Sequence, residues 1–251
     1  MPLIFDYLLE VLSILSKLTN TIYNHKTSAY PPFGGTEEDG IEKNFPADMQ
    51  TRETADLFLQ LIIEVLSNQG RAGVVLPDGT LFGEGVKTKI KKMLTEKCNL
   101  HTIVRLPNGV FNPYTGIKTN ILFFTKGQPT KDVWFYEHPY PEGVKSYNKT
   151  KPMKFEEFQT EIDWWGDEAD GFASRVETNN AWKVSIDDII ARNFNLDIKN
   201  PYQEAVENHD PEELLATYQA QQDDIAALRN QLKDILGAAL SSSGSTAAGD
   251  K

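Results

Sequence analysis

Cysteine is almost absent from this sequence, which has one, Cys98, among 251 residues. A single cysteine excludes an intramolecular disulfide bond and a zinc site built from several cysteines. His101 and His138 lie in strand-like stretches and have no second ligand at the spacing that a metal requires, so we expect both to be structural. The absence of disulfides is consistent with a reducing compartment, and we expect a cytoplasmic protein without a bound metal.

A long uncharged apolar run is also lacking. The most apolar stretch, Leu3–Leu18, is interrupted by Asp6, Glu10 and Lys17, and it is too short and too charged to span a membrane. No small-residue cleavage site follows it, which argues against a signal peptide. Its polar residues recur at helical spacing and leave a wide apolar face. We therefore predict a buried helix here, followed by a linker over residues 19–29.

Positive charge is scarce, because 25 lysines and arginines stand against 36 acidic residues and give a net charge of −11. A chain this acidic is expected to bind DNA only weakly on its own. Residues 71–126 are the exception, with 9 basic and 3 acidic side chains, and Lys87, Lys89, Lys91 and Lys92 lie close together there. These lysines either approach the phosphates of DNA or form the solvated face of a helix, and charge alone does not separate the two interpretations.

The remaining pattern is typical of an α/β domain. With 40% hydrophobic residues the chain can bury a substantial core. Short apolar runs bounded by glycine and proline predict buried strands, and segments with a helical period alternate with them. The predicted strands are Arg71–Pro77, Leu100–Leu106, Asn120–Thr125 and, at the edge of the sheet, Asp132–Glu137; the predicted helices are Thr54–Asn68 and Gly85–Glu96. Beyond residue 140 we expect no further strand, only short helices within 151–165 and after Ser185.

The residue pattern of the C-terminal region predicts one long helix. Asp210–Glu213 combines a capping aspartate, a proline in the first turn and acids beside the helix dipole. Apolar residues then recur at alternating steps of three and four, a spacing that favours a coiled-coil seam. The seam consists of Leu214, Tyr218, Ile225, Leu228, Leu232 and Ile235. This helix is expected to end near residue 240, and the small polar residues 241–251 are expected to be disordered.

Three stretches together resemble a known family. The first is Pro31–Pro46, which begins Pro-Pro-Phe-Gly-Gly; the second is Thr51–Gly79, with Leu-Pro-Asp-Gly at its end; the third is Val104–Asn120, with Pro-Asn-Gly-Val-Phe and Tyr-Thr-Gly-Ile-Lys-Thr-Asn. In this order and spacing, the chain from about Pro31 to about Leu240 resembles the second half of the modification subunit of type I restriction systems. That family consists of adenine-specific DNA methyltransferases.

The resemblance implies the back half of a Rossmann-like, S-adenosylmethionine-dependent methyltransferase sheet, followed by an α-helical C-terminal arm. The chain would then divide into an apolar helix and linker (1–29), a partial methyltransferase domain (30–140), an irregular extension (141–209), a coiled-coil-like helix (210–240) and a tail (241–251). In the family an Asn-Pro-Pro-Phe loop takes up the extruded adenine: the asparagine and a proline carbonyl accept hydrogen bonds from its amino group, and the aromatic ring stacks on the base. Pro31, Pro32 and Phe33 match that loop, and Tyr30 stands in place of the asparagine.

Two departures from the family lead us to expect that this chain alone is inactive. Tyr30 cannot supply the amide oxygen, and losing such a partner typically lowers the rate roughly 100-fold or more. In addition, no glycine precedes Gly34, whereas the family binds S-adenosylmethionine on a glycine-rich turn after its first strand. We therefore expect the cofactor-binding front half to be missing, and we assign no cofactor-binding residue.

The family context leaves three functions open. The chain is a partial modification subunit that methylates adenine N6 only within a complex, a non-enzymatic assembly fragment, or one half of a split methyltransferase. The expected partners are the specificity subunit, against which the family places its C-terminal helices, the restriction subunit, and DNA through the complex. A homodimer formed through the seam is the remaining possibility.

Overall fold

The computed structural model describes residues 26–203 and, between 215 and 235, helical positions that include the continuous runs 221–223 and 225–233. The chain divides into two compact units between Gln203 and Glu204. The predicted helix over Leu3–Leu18 and the tail over 241–251 lie outside the described residues. No described helix has the length and apolar character needed to cross a membrane.

The first unit is built on a mixed six-stranded sheet. Its strands are β1 (Lys26–Ala29), β2 (Arg71–Pro77), β3 (Cys98–Arg105), β4 (Thr119–Lys126), β5 (Asp132–Glu137) and β6 (Ala181–Ser185), and they lie in the order β1-β2-β4-β3-β5-β6. β1 and β2 are parallel, as are β3 and β5, whereas β4 is antiparallel to both β2 and β3 and β6 is antiparallel to β5. Consequently β1, β2, β3 and β5 run in the same direction.

Five α-helices accompany the sheet in the described part of this unit. They are α1 (Thr54–Val65), α2 (Asp78–Phe82), α3 (Val86–Lys97), α4 (Gln159–Trp164) and α5 (Ile186–Ala191), with short 3-10 helices at Ile41–Asn44 and Phe155–Phe158. The predicted serine cap is confirmed, because the Ser185 hydroxyl accepts a hydrogen bond from the Asp188 backbone N–H at 3.1 Å at the start of α5.

Both faces of the sheet are covered. Val74 and Leu76 of β2 join the residues of α1, α3 and α5 in one buried cluster, whereas Val75 points to a second cluster formed with residues 106–111 and 147–165. A strand covered on both faces has a continuous apolar run rather than an alternating one. This is why β2 and β4 are recognisable in the sequence as short uninterrupted runs.

The predicted α/β fold is confirmed, with three corrections at its margins. Lys26–Ala29 forms a strand paired with β2 and is not part of a linker. Asp132–Glu137 is not an edge strand, because Ala181–Ser185 pairs with it and extends the sheet beyond residue 140. β6 escaped prediction because it is only five residues long and runs directly into α5.

The second unit contains the predicted C-terminal helix. The described positions between 215 and 235 are helical. Among the seam residues Tyr218, Ile225, Leu228, Leu232 and Ile235 are exposed, and Leu214 lies outside the described residues.

Candidate functional site

The carboxyl ends of the four codirectional strands meet at one edge of the sheet. The loop of Tyr30–Gly35 follows β1, Asp78 follows β2, and residues 106–118 connect β3 to β4. Backbone hydrogen bonds hold these segments together: the Asp78 N–H donates to the Lys118 carbonyl at 3.0 Å and the Leu106 N–H to the Thr119 carbonyl at 3.0 Å. In open α/β sheets, ligands bind outside this edge, so the predicted loop lies in the expected place.

Three aromatic rings form a cluster in this loop region. The Tyr30 ring lies 4.9 Å from the Phe33 ring and 5.1 Å from the Phe111 ring, and Phe33 meets Phe111 edge-on at 6.2 Å. Pro31 is buried, Pro32 is exposed and Phe33 is half-buried. The predicted residues Pro31, Pro32 and Phe33 are thus joined by Phe111, which the sequence had not singled out as a site residue.

Burial raises the pKa of the Tyr30 phenol to about 12. The hydroxyl therefore stays protonated at neutral pH. The ring contributes apolar contact area to the cluster, where the amide of an asparagine would contribute two hydrogen-bonding atoms.

The loop is fixed by its contacts with the start of α1. The Thr54 N–H donates to the Gly35 carbonyl at 3.1 Å, and Thr36 pairs with Glu53 in an isolated antiparallel bridge. A Cβ at Gly35 would lie 2.7 Å from Thr54 Oγ1, and Gly34 adopts a φ of 66°. The two glycines of the motif are therefore required, one for close approach to Thr54 and one for a left-handed backbone.

A charge cluster joins α1 to α3 beneath the loop. Lys87 Nζ lies 2.6 Å from Glu53 Oε2 and 2.7 Å from Asp56 Oδ2. Burial raises the pKa of Asp56, and the hydrogen bond from Lys87 opposes that rise. The expectation that Lys87 lies on a solvated helix face is therefore wrong, because its ammonium is directed inward to fix the two helices.

Lys91 is also misplaced by the sequence prediction. Its side chain is buried, and Nζ donates to the carbonyls of Leu81 at 2.6 Å and Gly83 at 2.9 Å at the end of α2. Cations satisfy the unpaired carbonyls at a helix C-terminus. Burial, together with the charge of Lys87, lowers the pKa of Lys91 to about 8.

Lys89 and Lys92 are the two members of the lysine group that remain exposed. Lys89 pairs with Asp48 at 3.3 Å and Lys92 with Glu96 at 3.9 Å, and all four side chains are at least half exposed. Pairs of this kind are screened by solvent and contribute little to stability. Proximity of the lysine group to DNA stays a prediction, and of its four members these two have accessible ammonium groups.

Asp78 and Asn120 form a polar pair at the same edge. Asn120 Nδ2 donates to Asp78 Oδ1 at 2.6 Å, while Asn120 Oδ1 is buried without a hydrogen-bond partner among the described residues. Asn120 is fully buried although it lies at the start of a strand. An asparagine opening an apolar strand run was the signal available in the sequence for this pair.

Comparison with known proteins places the chain among DNA methylases. The model of the N-6 DNA Methylase family matches residues 16–210. Over 210 residues the chain is 85% identical to the type I restriction enzyme EcoEI methylase subunit of Escherichia coli, covering 84% of this chain and 43% of that protein.

Two solved structures show the same relationship. A modification subunit of a putative type I restriction enzyme from Vibrio vulnificus is 45% identical, with a TM-score of 0.65, over 78% of this chain and 43% of that one. A chain from a structural study of complex assembly in the type I restriction-modification system is 34% identical, with a TM-score of 0.67, over 88% of this chain and 47% of that one. The chain thus spans less than half the length of each of these three relatives.

Proposed function

Since the chain belongs to the N-6 DNA methylase family, we propose that it forms the part of a type I modification subunit that receives the target adenine. The family transfers methyl groups from S-adenosylmethionine, and the chain is homologous to type I methylase subunits. One observation carries the assignment: the loop of Tyr30–Gly35 lies at the carboxyl edge of the sheet and is fixed to α1 by Gly35 and Thr54.

Phe33 is the residue that would stack on the adenine. A base must leave the duplex before its N6 atom becomes accessible, and an aromatic face compensates for the stacking that it loses. Phe33 is half-buried and follows Pro31 and Pro32, whose fixed φ angles limit the conformations of the loop. A proline carbonyl would accept one hydrogen bond from the amino group.

The residues at this edge do not fit S-adenosylmethionine. β1 continues into Tyr30, Pro31 and Pro32, and the two prolines have no backbone N–H to donate to a ligand. The glycines that follow, Gly34 and Gly35, are committed to the turn and to the contact with Thr54. We therefore assign the methyl donor to a part of the enzyme other than the described residues, and we propose that this chain alone neither binds it nor methylates DNA.

β1 leaves one edge of the sheet open to a further strand. Within the described residues β1 pairs with β2 alone, so its other edge offers backbone groups for pairing. Methylase sequence outside the described residues, in the same chain or in a separate one, would continue the sheet there and bring its cofactor to the loop.

Reconstitution tests this proposal. The chain is co-expressed with the part of the EcoEI methylase that its match does not cover and with a specificity subunit, and transfer of labelled methyl groups to unmodified DNA is measured. Transfer that requires both added parts and that falls at least roughly 100-fold with Phe33→Ala supports the assignment. Transfer by the chain alone, or a Phe33→Ala complex as active as the parent, would refute it.

The second candidate is an assembly fragment that binds the specificity subunit without catalysis. The exposed seam residues favour it: Leu228, Leu232 and Ile235 are 63%, 58% and 66% exposed. A row of large apolar side chains at coiled-coil spacing is typical of a helix that binds another helix. Co-purification with the specificity subunit in the absence of methyl transfer would favour this function over the first.

A further inference from the structure

A second cleft opens at the opposite edge of the sheet. Arg71 begins β2, Asp132 begins β5 and Thr125 lies near the end of β4, and all three line a cleft of about 740 Å³. The cleft therefore lies at the amino ends of the codirectional strands, away from the loop of Tyr30–Gly35. Its size is within the range of small-molecule sites.

The lining of this cleft is predominantly basic. Four basic side chains, Arg71, Lys131, Arg175 and Lys183, line it together with two acidic ones, Asp132 and Glu168. The ammonium of a further lining residue, Lys126, donates to the Ile63 and Glu64 carbonyls. Glu168 is engaged by Arg71 at 3.2 Å. Burial lowers the pKa of His101 at the cleft wall, and the charges of Arg175 and Arg71 lower it further.

Arg175 is the most constrained residue of the cleft. It is only 6% exposed, and its guanidinium carbon lies 3.7 Å from the centroid of the Phe172 ring. Nε donates to the Trp165 carbonyl at 2.7 Å and Nη1 to the Thr102 hydroxyl at 2.8 Å. The guanidinium forms no ion pair with a described carboxylate, and Nη2 has no hydrogen-bond partner among the described residues.

Thr125 presents a second unsatisfied group. Its Oγ1 is buried without a hydrogen-bond partner in the described part of the chain, on a residue that also lines the cleft. A buried polar atom without a partner typically destabilises a fold by about 1–3 kcal/mol. Two residues of the cleft lining, Arg175 and Thr125, therefore each hold a polar atom to which an acceptor on a ligand could bind.

The backbone of Phe172 is strained where it meets Arg175. Phe172 has a φ of 62°, a left-handed conformation that bulky residues rarely adopt. The strain places its ring against the Arg175 guanidinium and 4.8 Å from the His101 ring. Such strain persists when the surroundings enforce it, and it is concentrated at ligand-binding sites.

We propose that this cleft binds a phosphate group, with Arg175 and Thr125 at its floor and Lys131 and Lys183 at its rim. Guanidinium and ammonium groups bind phosphate oxygens most strongly, and Glu168, the cleft carboxylate whose charge acts on Arg175, is paired with Arg71. The phosphate belongs either to a free ion or nucleotide or to the DNA backbone. This site is independent of the methylase assignment, because it lies at the other edge of the sheet.

Calorimetric titration of the full chain tests the site. Inorganic phosphate, adenosine monophosphate and a short DNA duplex are titrated separately at constant ionic strength. Lys131→Gln/Lys183→Gln removes two rim charges, and Lys92→Gln/Lys149→Gln removes two exposed charges elsewhere as the matched control. The control for the duplex titration is Lys145→Gln/Lys149→Gln in place of the Lys92 variant, because both lysines are exposed and lie outside the cleft and the lysine group of α3. We expect saturable one-to-one binding that weakens about tenfold in the rim variant and remains unchanged in this control.

Thr125→Val gives a readout that a purely structural role would not produce. The substitution is nearly isosteric and removes the unpaired hydroxyl, so the melting temperature should stay the same or rise while phosphate binding weakens. Binding of phosphate and nucleotide identifies a free ligand, and binding of the duplex alone identifies the DNA backbone. Absence of saturable binding in all three titrations would overturn the proposal, as would equal affinities for the rim variant and its control.

Discussion

The Tyr30 ring lies against the Phe33 ring, with centroids 4.9 Å apart and ring planes inclined by 56°. Phe111 contacts both rings, so the chain's own side chains cover part of the surface that an adenine would need for stacking. An asparagine in place of Tyr30 would leave more of Phe33 free and would add an amide oxygen. We therefore expect the residue at position 30 to determine how well this loop receives a base.

The Lys87 cluster should be required for stability and not for DNA binding. Lys87→Met leaves Asp56 buried without its cation, and we expect a loss of about 3 kcal/mol in the free energy of unfolding. The double variant Asp56→Asn/Lys87→Met should recover more than half of that loss. Urea unfolding of the two variants measures both effects, with Lys92→Gln as an exposed control expected to change stability by less than about 0.5 kcal/mol. Equal losses in the Lys87 and Lys92 variants would contradict the inward role.

Because Lys91 is buried, we expect its contribution to the free energy of unfolding to depend on pH. Its folded-state pKa of about 8 lies below the ordinary value of 10.5, so the folded chain releases this proton before the unfolded chain does. Between these values the unfolded state binds more protons, and the contribution of Lys91 to stability rises with pH. Compared with Lys91→Met, the parent should gain up to about 2 kcal/mol between neutral pH and pH of about 10. If the stability difference between the parent and Lys91→Met stays constant or falls over this pH range, Lys91 is not buried as a cation.

Gly35 should tolerate no side chain while Thr54 is present. Gly35→Ala places Cβ 2.7 Å from Thr54 Oγ1, and we expect a loss of about 2 kcal/mol from the forced shift. Thr54→Ala removes that oxygen, so the double variant should be more stable than the sum of the two single losses predicts. If the stability loss of the double variant in thermal unfolding equals the sum of the two single losses, the loop does not pack on Thr54.

The seam residues should govern binding of the specificity subunit. Leu228→Glu/Leu232→Glu places charge on the apolar row and should abolish co-purification with that subunit. Ala227→Glu/Asn230→Glu adds the same charge at exposed positions outside the row and should leave co-purification intact. If both variants lose co-purification, the effect is one of charge in general. If both variants retain it, the seam is not the binding surface.

Patterns that depend on local sequence predicted the fold well. β2 and β4 were recognisable because burial on both faces produces an apolar run, and the start of α5 because Ser185 caps it. β6 was missed because it is a short strand whose burial depends on β5, a partner 51 residues earlier at the Val133–Val184 pair. Pairing across such a distance leaves little trace in local sequence.

The site was predictable only where a motif carried it. Pro31, Pro32 and Phe33 follow β1 at the carboxyl edge of the sheet, and their role in an adenine loop stays a prediction, whereas the lysine group was misread. A lysine in a helical pattern suggests solvent, and only the tertiary structure shows that Lys91 meets the end of α2 and Lys87 meets Asp56. Arg175 escaped attention because Thr102, whose hydroxyl accepts a hydrogen bond from its guanidinium, lies 73 residues earlier in the chain.

Methyl transfer by a reconstituted complex that carries Tyr30→Asn tests the role of Tyr30 in the adenine loop. The chain, the part of the EcoEI methylase that its match does not cover and a specificity subunit are combined, and the initial rate of transfer to unmodified DNA is measured for the parent, Tyr30→Asn and Tyr30→Phe. We expect Tyr30→Asn to raise the rate roughly 100-fold and Tyr30→Phe, which keeps the ring, to leave it unchanged. Equal rates for the parent and Tyr30→Asn would contradict the account, because the loop would then receive adenine regardless of the residue at position 30.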